Sequence, residues 1–224
     1  MGVRVIDVGR DVLSERKAAA DRFRAAQAAR GTLVVQLISS PGAGKTALLE
    51  ATARHWGTRR RLAVLVGDIE TDRDAQRLAP LAPTVQITTG GACHLELPLV
   101  ERACRQLSDG PFDFLFIEDV GNLVCPAAHD VGYHLRVLLL SVTEGDDKPG
   151  KYPRAFRTSD ALVLSKLDLL PHVPFSVEAA TVDARRIQPD LTVLSVCSQT
   201  GTGIASWCDY LDGRRRQLLE GTAP

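Results

Sequence analysis

The sequence predicts an α/β fold, a mostly parallel sheet flanked by helices, and three observations point there. Seven short apolar runs punctuate the 224 residues, and segments of helical composition separate most of them. Buried apolar strands divided by helices indicate βαβ units whose sheet is covered on both faces. The first run also leads straight into a glycine-rich turn and a helical segment, SSPGAGKTALLE from position 39. Nothing repeats and no low-complexity linker interrupts the chain. One domain over 31–220 is expected, with a helical extension over 1–30 and a tail over 221–224.

In chain order, residues 11–29 are rich in Ala and Arg and read as a surface helix ending at Gly31. The apolar runs follow at 32–39, 62–67, 84–89, 112–118, 135–143, 160–166 and 191–197. Between them, ALLEATARHW, LELPLVERACRQL and SVEAATVDARRIQ have helical composition, whereas SVTEGDDKPGKYP (141–153) reads as a loop with a Pro-Gly turn.

Bulk properties exclude several functions. Apolar residues are 45% and charged residues 24%, ordinary for a globular protein. The 27 basic residues balance 27 acidic ones, which removes the basic excess of a dedicated nucleic-acid binder. No apolar run approaches the ~18 residues of a membrane span. The N-terminus MGVRVIDVGRD lacks the apolar core of an export signal. Five cysteines, an odd number, then suggest reduced thiols and a cytoplasmic location.

The turn after the first strand is a Walker-type P-loop, with Ser39 where the usual pattern has its first glycine. Gly42, Ala43 and Gly44 supply backbone N–H groups for phosphate, because the glycines permit the turns that aim them inward. Lys45 is placed to reach the β- and γ-phosphates, and Thr46 to hold Mg²⁺. The helix starting near Lys45 adds its positive end. Glu118 closes the fourth apolar run, where a carboxylate engages the Mg²⁺ shell or the attacking water. GDIETDRDA offers Asp68, Asp72 and Asp74 at the same edge of the sheet.

Base recognition points to VLSKLDLL (163–170), similar to the NKxD element that reads guanine, with Ser165 for Asn. Asp168 would accept from the guanine edge and the Lys166 stem would cover the ring. VCSQTGTG (196–203), including Ser198, stands where a second base loop is expected.

The stretch TGGACHLELP sets Cys93 beside His94, and Cys125 follows thirty-two residues later, just past Glu118. If the third and fourth runs are parallel strands, all three side chains sit at one sheet edge and could converge. Two thiolates and an imidazole suit Ni²⁺ or Zn²⁺ better than Mg²⁺. By spacing alone, buried structural cysteines are the commoner outcome; a Cys-His nucleophile is disfavoured, since adjacent side chains diverge. Cys104, Cys197 and Cys208 read as packing residues. His129 and His134 follow Cys125 closely and could extend the metal site, although a solvated helix face is the commoner reading of both; Arg59–Arg61 and Arg214–Arg216 read as exposed helix ends.

SSPGAGKT, GDIETDRDA, TGGACHL, FLFIEDVGNLVCP, LLLSVTEGDDKPGKYP and LSKLDLLP together resemble the HypB family, nickel-insertion GTPases of [NiFe]-hydrogenase maturation. The resemblance spans about residues 5–212, with 141–153 its most specific part. It implies a P-loop G-domain of the SIMIBI class that binds GTP or GDP and dimerises with GTP around an interface metal. Residue by residue, it assigns Ni²⁺ or Zn²⁺ to Cys93, His94 and Cys125. It assigns phosphate and Mg²⁺ roles to Lys45, Thr46, Asp68, Asp74 and Glu118, favouring Asp68 and Asp74 over Asp72. The implied partners are a second copy, a hydrogenase-maturation protein and the hydrogenase large-subunit precursor, with no nucleic acid and no membrane. The chain departs from the family at Ser165, at the CSQTG base loop, at Asp119 where Asn is usual, and in having no Cys-rich motif or His-rich tract before Cys93. The expected function is GTP-switched delivery of nickel. A UreG-like nickel GTPase, a non-hydrolysing metal-binding scaffold and a small-molecule kinase are the alternatives.

Overall fold

The computed structural model describes residues 8–107 and 110–221, so residues 1–7 of the expected extension and 222–224 of the expected tail lie outside it. The strands are β1 Leu33–Ser39, β2 Leu62–Asp68, β3 Thr84–Thr88, β4 Phe114–Glu118, β5 Leu135–Ser141, β6 Ala161–Ser165 and β7 Thr192–Ser195. They form a single parallel sheet in the order β3-β2-β4-β1-β5-β6-β7. The helices are α1 Val8–Ala29, α2 Lys45–Trp56, α3 Arg73–Leu78, α4 Leu97–Cys104, α5 Lys148–Lys151, α6 Pro153–Arg157, α7 Val177–Ile187 and α8 Ile204–Leu219.

Strand side chains alternate between two covered faces. On one face Leu37, Val64, Phe116 and Val137 meet Leu48 and Leu49 of α2, Leu78 of α3 and Trp207 of α8. Trp56 stacks on Phe114 at 4.4 Å between ring centroids, and Trp207 Nε1 donates to Thr52 Oγ1 at 2.9 Å. Truncating such an aromatic residue to alanine costs about 3–5 kcal/mol.

The opposite face carries two separate apolar clusters. One joins Ala20 and Phe23 of α1 and Val100 of α4 to Val34, Leu65 and Ile117. The other joins Phe156 of α6 and Ala180 of α7 to Ile38, Leu138 and Leu164. Gln36, Asp119 and Arg136 are polar and yet fully buried.

The segment 141–153 differs from the loop expected of it, since it holds α5 and begins α6. Proline explains the difference. Pro149 and Pro153 fall in the first turns of α5 and α6, where a missing N–H costs nothing and the fixed φ favours the helix.

Candidate functional site

β1 delivers the chain to the P-loop at the carboxyl edge of the sheet. Gly42 and Gly44 have φ of 74° and 100°, the left-handed region that a side chain disfavours. Gly44 is the N-cap of α2 and supplies no side-chain cap, which leaves first-turn N–H groups for an anion. Lys45 is buried against the loop, its ammonium donating to Ser39 Oγ at 3.1 Å. Ser39 thus holds the lysine as well as allowing the turn.

Thr46 Oγ1 donates to Glu118 Oε1 at 2.8 Å, which brings the helix start and the end of β4 together. Glu118 is 3% exposed, and its Oε2 has no partner. Burial pushes its carboxyl up to about 7, against the opposing pull of Lys45 and the Thr46 hydroxyl. A buried, orphaned carboxylate oxygen beside a threonine hydroxyl fits a Mg²⁺ shell. Asp68 ends β2 and accepts from the N–H groups of Thr71 and Glu70 at 2.6 and 3.0 Å. Burial works to raise its carboxyl, but these N–H donors and Lys45 outweigh it and hold the group below its usual range. Asp74 pairs with Arg77 at 3.2 Å, and Arg77 also binds Glu50 at 2.9 Å. Asp72 is exposed.

The base-side residues gather around the same loop. Ser165 Oγ donates to the Ala43 carbonyl at 2.7 Å, tying β6 to the P-loop. Lys166 adopts φ 59°, and its Cε lies 4.0 Å from the place a Cβ on Gly44 would occupy. Asp168 Oδ1 accepts from the Cys197 thiol at 3.0 Å. Cys197 therefore orients the candidate base-reading carboxylate, where packing alone was expected of it. Ser198 is half-buried just beyond β7.

Cys93 and His94 leave β3, and Cys125 leaves β4, into facing loops. One ligand atom from each lies within 4.8 Å of the others. The two sulfurs are 2.7 Å apart, and Cys93 Sγ is 3.8 Å from His94 Nδ1. The thiols and imidazole brought together this way offer the soft donor set that Ni²⁺ or Zn²⁺ prefers.

Three buried polar residues frame these loops. Asp119 Oδ1 accepts from the N–H of Leu95 at 3.0 Å and of Val120 at 2.9 Å, and its Oδ2 accepts from Gln36 Nε2 at 2.7 Å. Gln36 Oε1 accepts from Arg136 Nε at 2.8 Å. The Arg136 guanidinium donates to the carbonyls of Pro126, Ala127 and His129 and to Thr158 Oγ1. One chain of hydrogen bonds thereby runs from the Cys93–His94 loop, through Asp119 just past β4 and then β1 and β5, to the segment after Cys125. Sequence reading missed Gln36 and Arg136. The signal was there, since each is a polar residue inside an apolar strand, and such residues are retained only with partners.

His129 and His134 correct the expectation of a solvated helix face. His129 follows a short 3₁₀ turn, and its ring stacks on His94 at 3.8 Å between centroids. His134 is bonded on both nitrogens: Nδ1 accepts from Val34 N–H at 2.9 Å and Nε2 faces the Arg24 carbonyl at 3.0 Å. Burial drives its pKa down to about 4, so it is a neutral structural group apart from the metal candidates. The basic runs are also partly engaged, with Arg60 on Asp212 at 2.7 Å and Arg215 on Asp113 at 2.8 Å. Among the described residues, no helix is long and apolar enough to cross a membrane.

Comparison with known proteins gives a consistent picture. A family model described as the CobW/HypB/UreG nucleotide-binding domain matches residues 33–195. The hydrogenase maturation factor HypB of Azotobacter vinelandii is 46% identical over 217 residues, covering 96% of this chain and 72% of its own length. HypB of Escherichia coli K12 is 41% identical over 213 residues, covering 95% and 73%. Among solved structures, HypB from Helicobacter pylori in complex with nickel superposes with a TM-score of 0.87 at 35% identity, over 94% of this chain and 98% of that one. HypB from Archaeoglobus fulgidus gives 0.83 at 34% identity, over 90% and 99%. The signal recognition particle receptor FtsY from Mycoplasma mycoides gives 0.57 at 14% identity, over 81% and 67%, and shares the fold.

Proposed function

Because the chain belongs to the CobW/HypB/UreG family of nucleotide-binding domains, we propose that it is a GTP-hydrolysing nickel chaperone for [NiFe]-hydrogenase maturation. The observation that carries this reading is the junction at the end of β4. Glu118 bonds the P-loop threonine, while the next residue, Asp119, bonds the backbone of the Cys93–His94 loop. Neighbouring strand residues point to opposite faces, so one strand end touches both sites.

In this reading the α2 N-terminus and the P-loop amides take the phosphates, and Lys45 moves from Ser39 to the β- and γ-oxygens. Thr46 and Asp68 would hold Mg²⁺; the Thr46 hydroxyl donates its hydrogen bond to Glu118 and keeps lone pairs for the ion. When bound, Mg²⁺ neutralises charge building on the transferred phosphoryl group. Glu118 and Asp74 orient the attacking water. Lys166 covers the guanine ring, and Asp168, held by Cys197, accepts from its edge beside the Ser198 loop. Cys93, His94 and Cys125 carry the cargo, Ni²⁺ or Zn²⁺.

GTP closes two protomers across this edge. Exposed apolar side chains beside both sites support such a contact: Val124, next to Cys125, is 61% exposed, and Ile69, next to Asp68, is 40% exposed. Hydrolysis then shifts β4's end and loosens the metal loops, passing the ion to a maturation partner or the hydrogenase large-subunit precursor. Only an affinity that differs between nucleotide states can do this.

The test pairs turnover with metal retention. Wild-type protein should release phosphate from GTP faster than from ATP and keep a nickel or zinc ion through gel filtration. Cys93→Ala with Cys125→Ala should lose that retained ion while GTP turnover survives. A chain that retains its ion after both substitutions contradicts the assignment.

A further inference from the structure

His94 has two ring nitrogens, and only one faces the sulfurs. Nδ1 is 3.8 Å from Cys93 Sγ, whereas Nε2 is 3.8 Å from Glu96 Oε1 and is buried without a hydrogen-bond partner. The His129 ring lies parallel to it, 3.8 Å away with an interplanar angle of 18°. His129 Nδ1 sits 2.9 Å from the Cys125 carbonyl, which fixes the proton there and leaves Nε2 as a free lone pair. His94, Glu96 and His129 together offer three ligand atoms within 4.8 Å of one another.

We propose that His94 Nε2, Glu96 and His129 Nε2 form a second position for a divalent transition-metal ion, adjacent to the sulfur position, with His94 serving one position at a time. Ligands at 2.0–2.1 Å in a tetrahedral site stand about 3.3 Å apart and imidazole lone pairs lie in the ring plane, so His129 must turn out of its parallel stack on His94 to bring both nitrogens onto one ion. The backbone bond from His129 to Cys125 resembles the outer-shell contacts that fix the tautomer of metal-bound histidines. The donor set is nitrogen and oxygen without thiolate, and Glu96 is half exposed with a side-chain accessibility of 51%. Such a set holds Ni²⁺ more loosely than two thiolates and opens toward solvent. A neutral imidazole has one lone pair, so an ion passing from the sulfurs to the second position leaves His94 Nδ1, the ring proton moves by way of solvent from Nε2 to Nδ1, and Nε2 then takes the ion. The second position is thus the outlet of the chaperone, and in that role it rests on the function proposed above.

The test is a Ni²⁺ titration of the full chain carrying Cys93→Ala and Cys125→Ala. One weaker binding event should remain at equilibrium. Adding His129→Phe, which keeps a ring against His94 but removes its nitrogen, should weaken that event at least about tenfold, no less than the loss of an outer-shell partner. No binding event after the two cysteine changes, or one indifferent to His129→Phe, overturns the second position. Retention by wild-type protein through gel filtration reports the sulfur position alone, so the two can fail separately. Nickel X-ray absorption on otherwise unaltered protein gives a check independent of the cysteine variants. The second equivalent of Ni²⁺ should show nitrogen and oxygen neighbours with imidazole scattering, and this imidazole contribution should fall in His129→Phe. An unchanged spectrum counts against the site.

Discussion

The two ends of β4's junction are built differently. On the nucleotide side the candidate phosphate-binding groups come from one contiguous segment, Ser39–Thr46, and more distant side chains such as Glu118 and Asp68 are brought to it from strand ends. On the metal side the candidate ligands come from two loops separated by thirty residues of chain, and a buried hydrogen-bond chain through β1, β5 and the residue after β4 holds the loops in register. A contiguous site is fixed by local geometry. A composite site is only as firm as its frame, which makes its metal affinity open to influence from elsewhere in the fold.

The largest effect expected is on the contiguous side. Lys45→Ala should lower GTP turnover by at least ~100-fold, because a preorganised charge at the phosphates is lost where it acts most strongly. Metal retained through gel filtration should be unchanged. Loss of both together would show that the two ends are not separable.

Next comes the frame. Asp119→Ala leaves the N–H of Leu95, the N–H of Val120 and the Gln36 amide without an acceptor, and should destabilise the fold by roughly 3 kcal/mol in urea titrations. In chain still folded, nickel affinity should fall more than nucleotide affinity. Asp119→Asn should be milder, since an amide oxygen still serves Leu95 and Val120 but its NH₂ opposes that of Gln36. Equal losses at both sites would remove the distinction between local and framed.

The smallest effect belongs to His134, which serves neither site. Its folded pKa of about 4 lies below the ordinary 6.5, so the unfolded chain binds the extra proton first as pH falls. Stability should therefore be intact above pH 6.5 and be lost progressively between 6.5 and 4. For a half-buried ring this is roughly 1–2 kcal/mol after solvent screening. His134→Gln should flatten that part of the pH profile without altering metal retention at pH 7.

The same contrast explains what the sequence could disclose. The P-loop was readable because its residues are adjacent and each has a local reason to be there. All seven strands were readable as apolar runs, and every strand end fell within two residues of the observed one. Cys93, His94 and Cys125 were nameable, but their approach depends on β3 and β4 flanking β2 in one parallel sheet, which spacing alone does not specify. Gln36 and Arg136 were missed because a polar residue in an apolar strand announces a partner without naming it. His129 was misplaced for a similar reason: its neighbour His94 is thirty-five positions away, and only the meeting of the two loops reveals the stack. Cys197 needed the Asp168 loop folded against it before its thiol acquired a task.

The central claim is that nucleotide state and metal affinity are linked through the end of β4. Nickel affinity measured on one preparation, first with GDP and then with a non-hydrolysable GTP analogue, with Mg²⁺ constant and the mass in solution recorded, tests it most directly. A linkage predicts affinities that differ by about fivefold or more, the lower end of ordinary coupling energies, with the analogue form dimeric. Identical nickel affinities in the two states would contradict it.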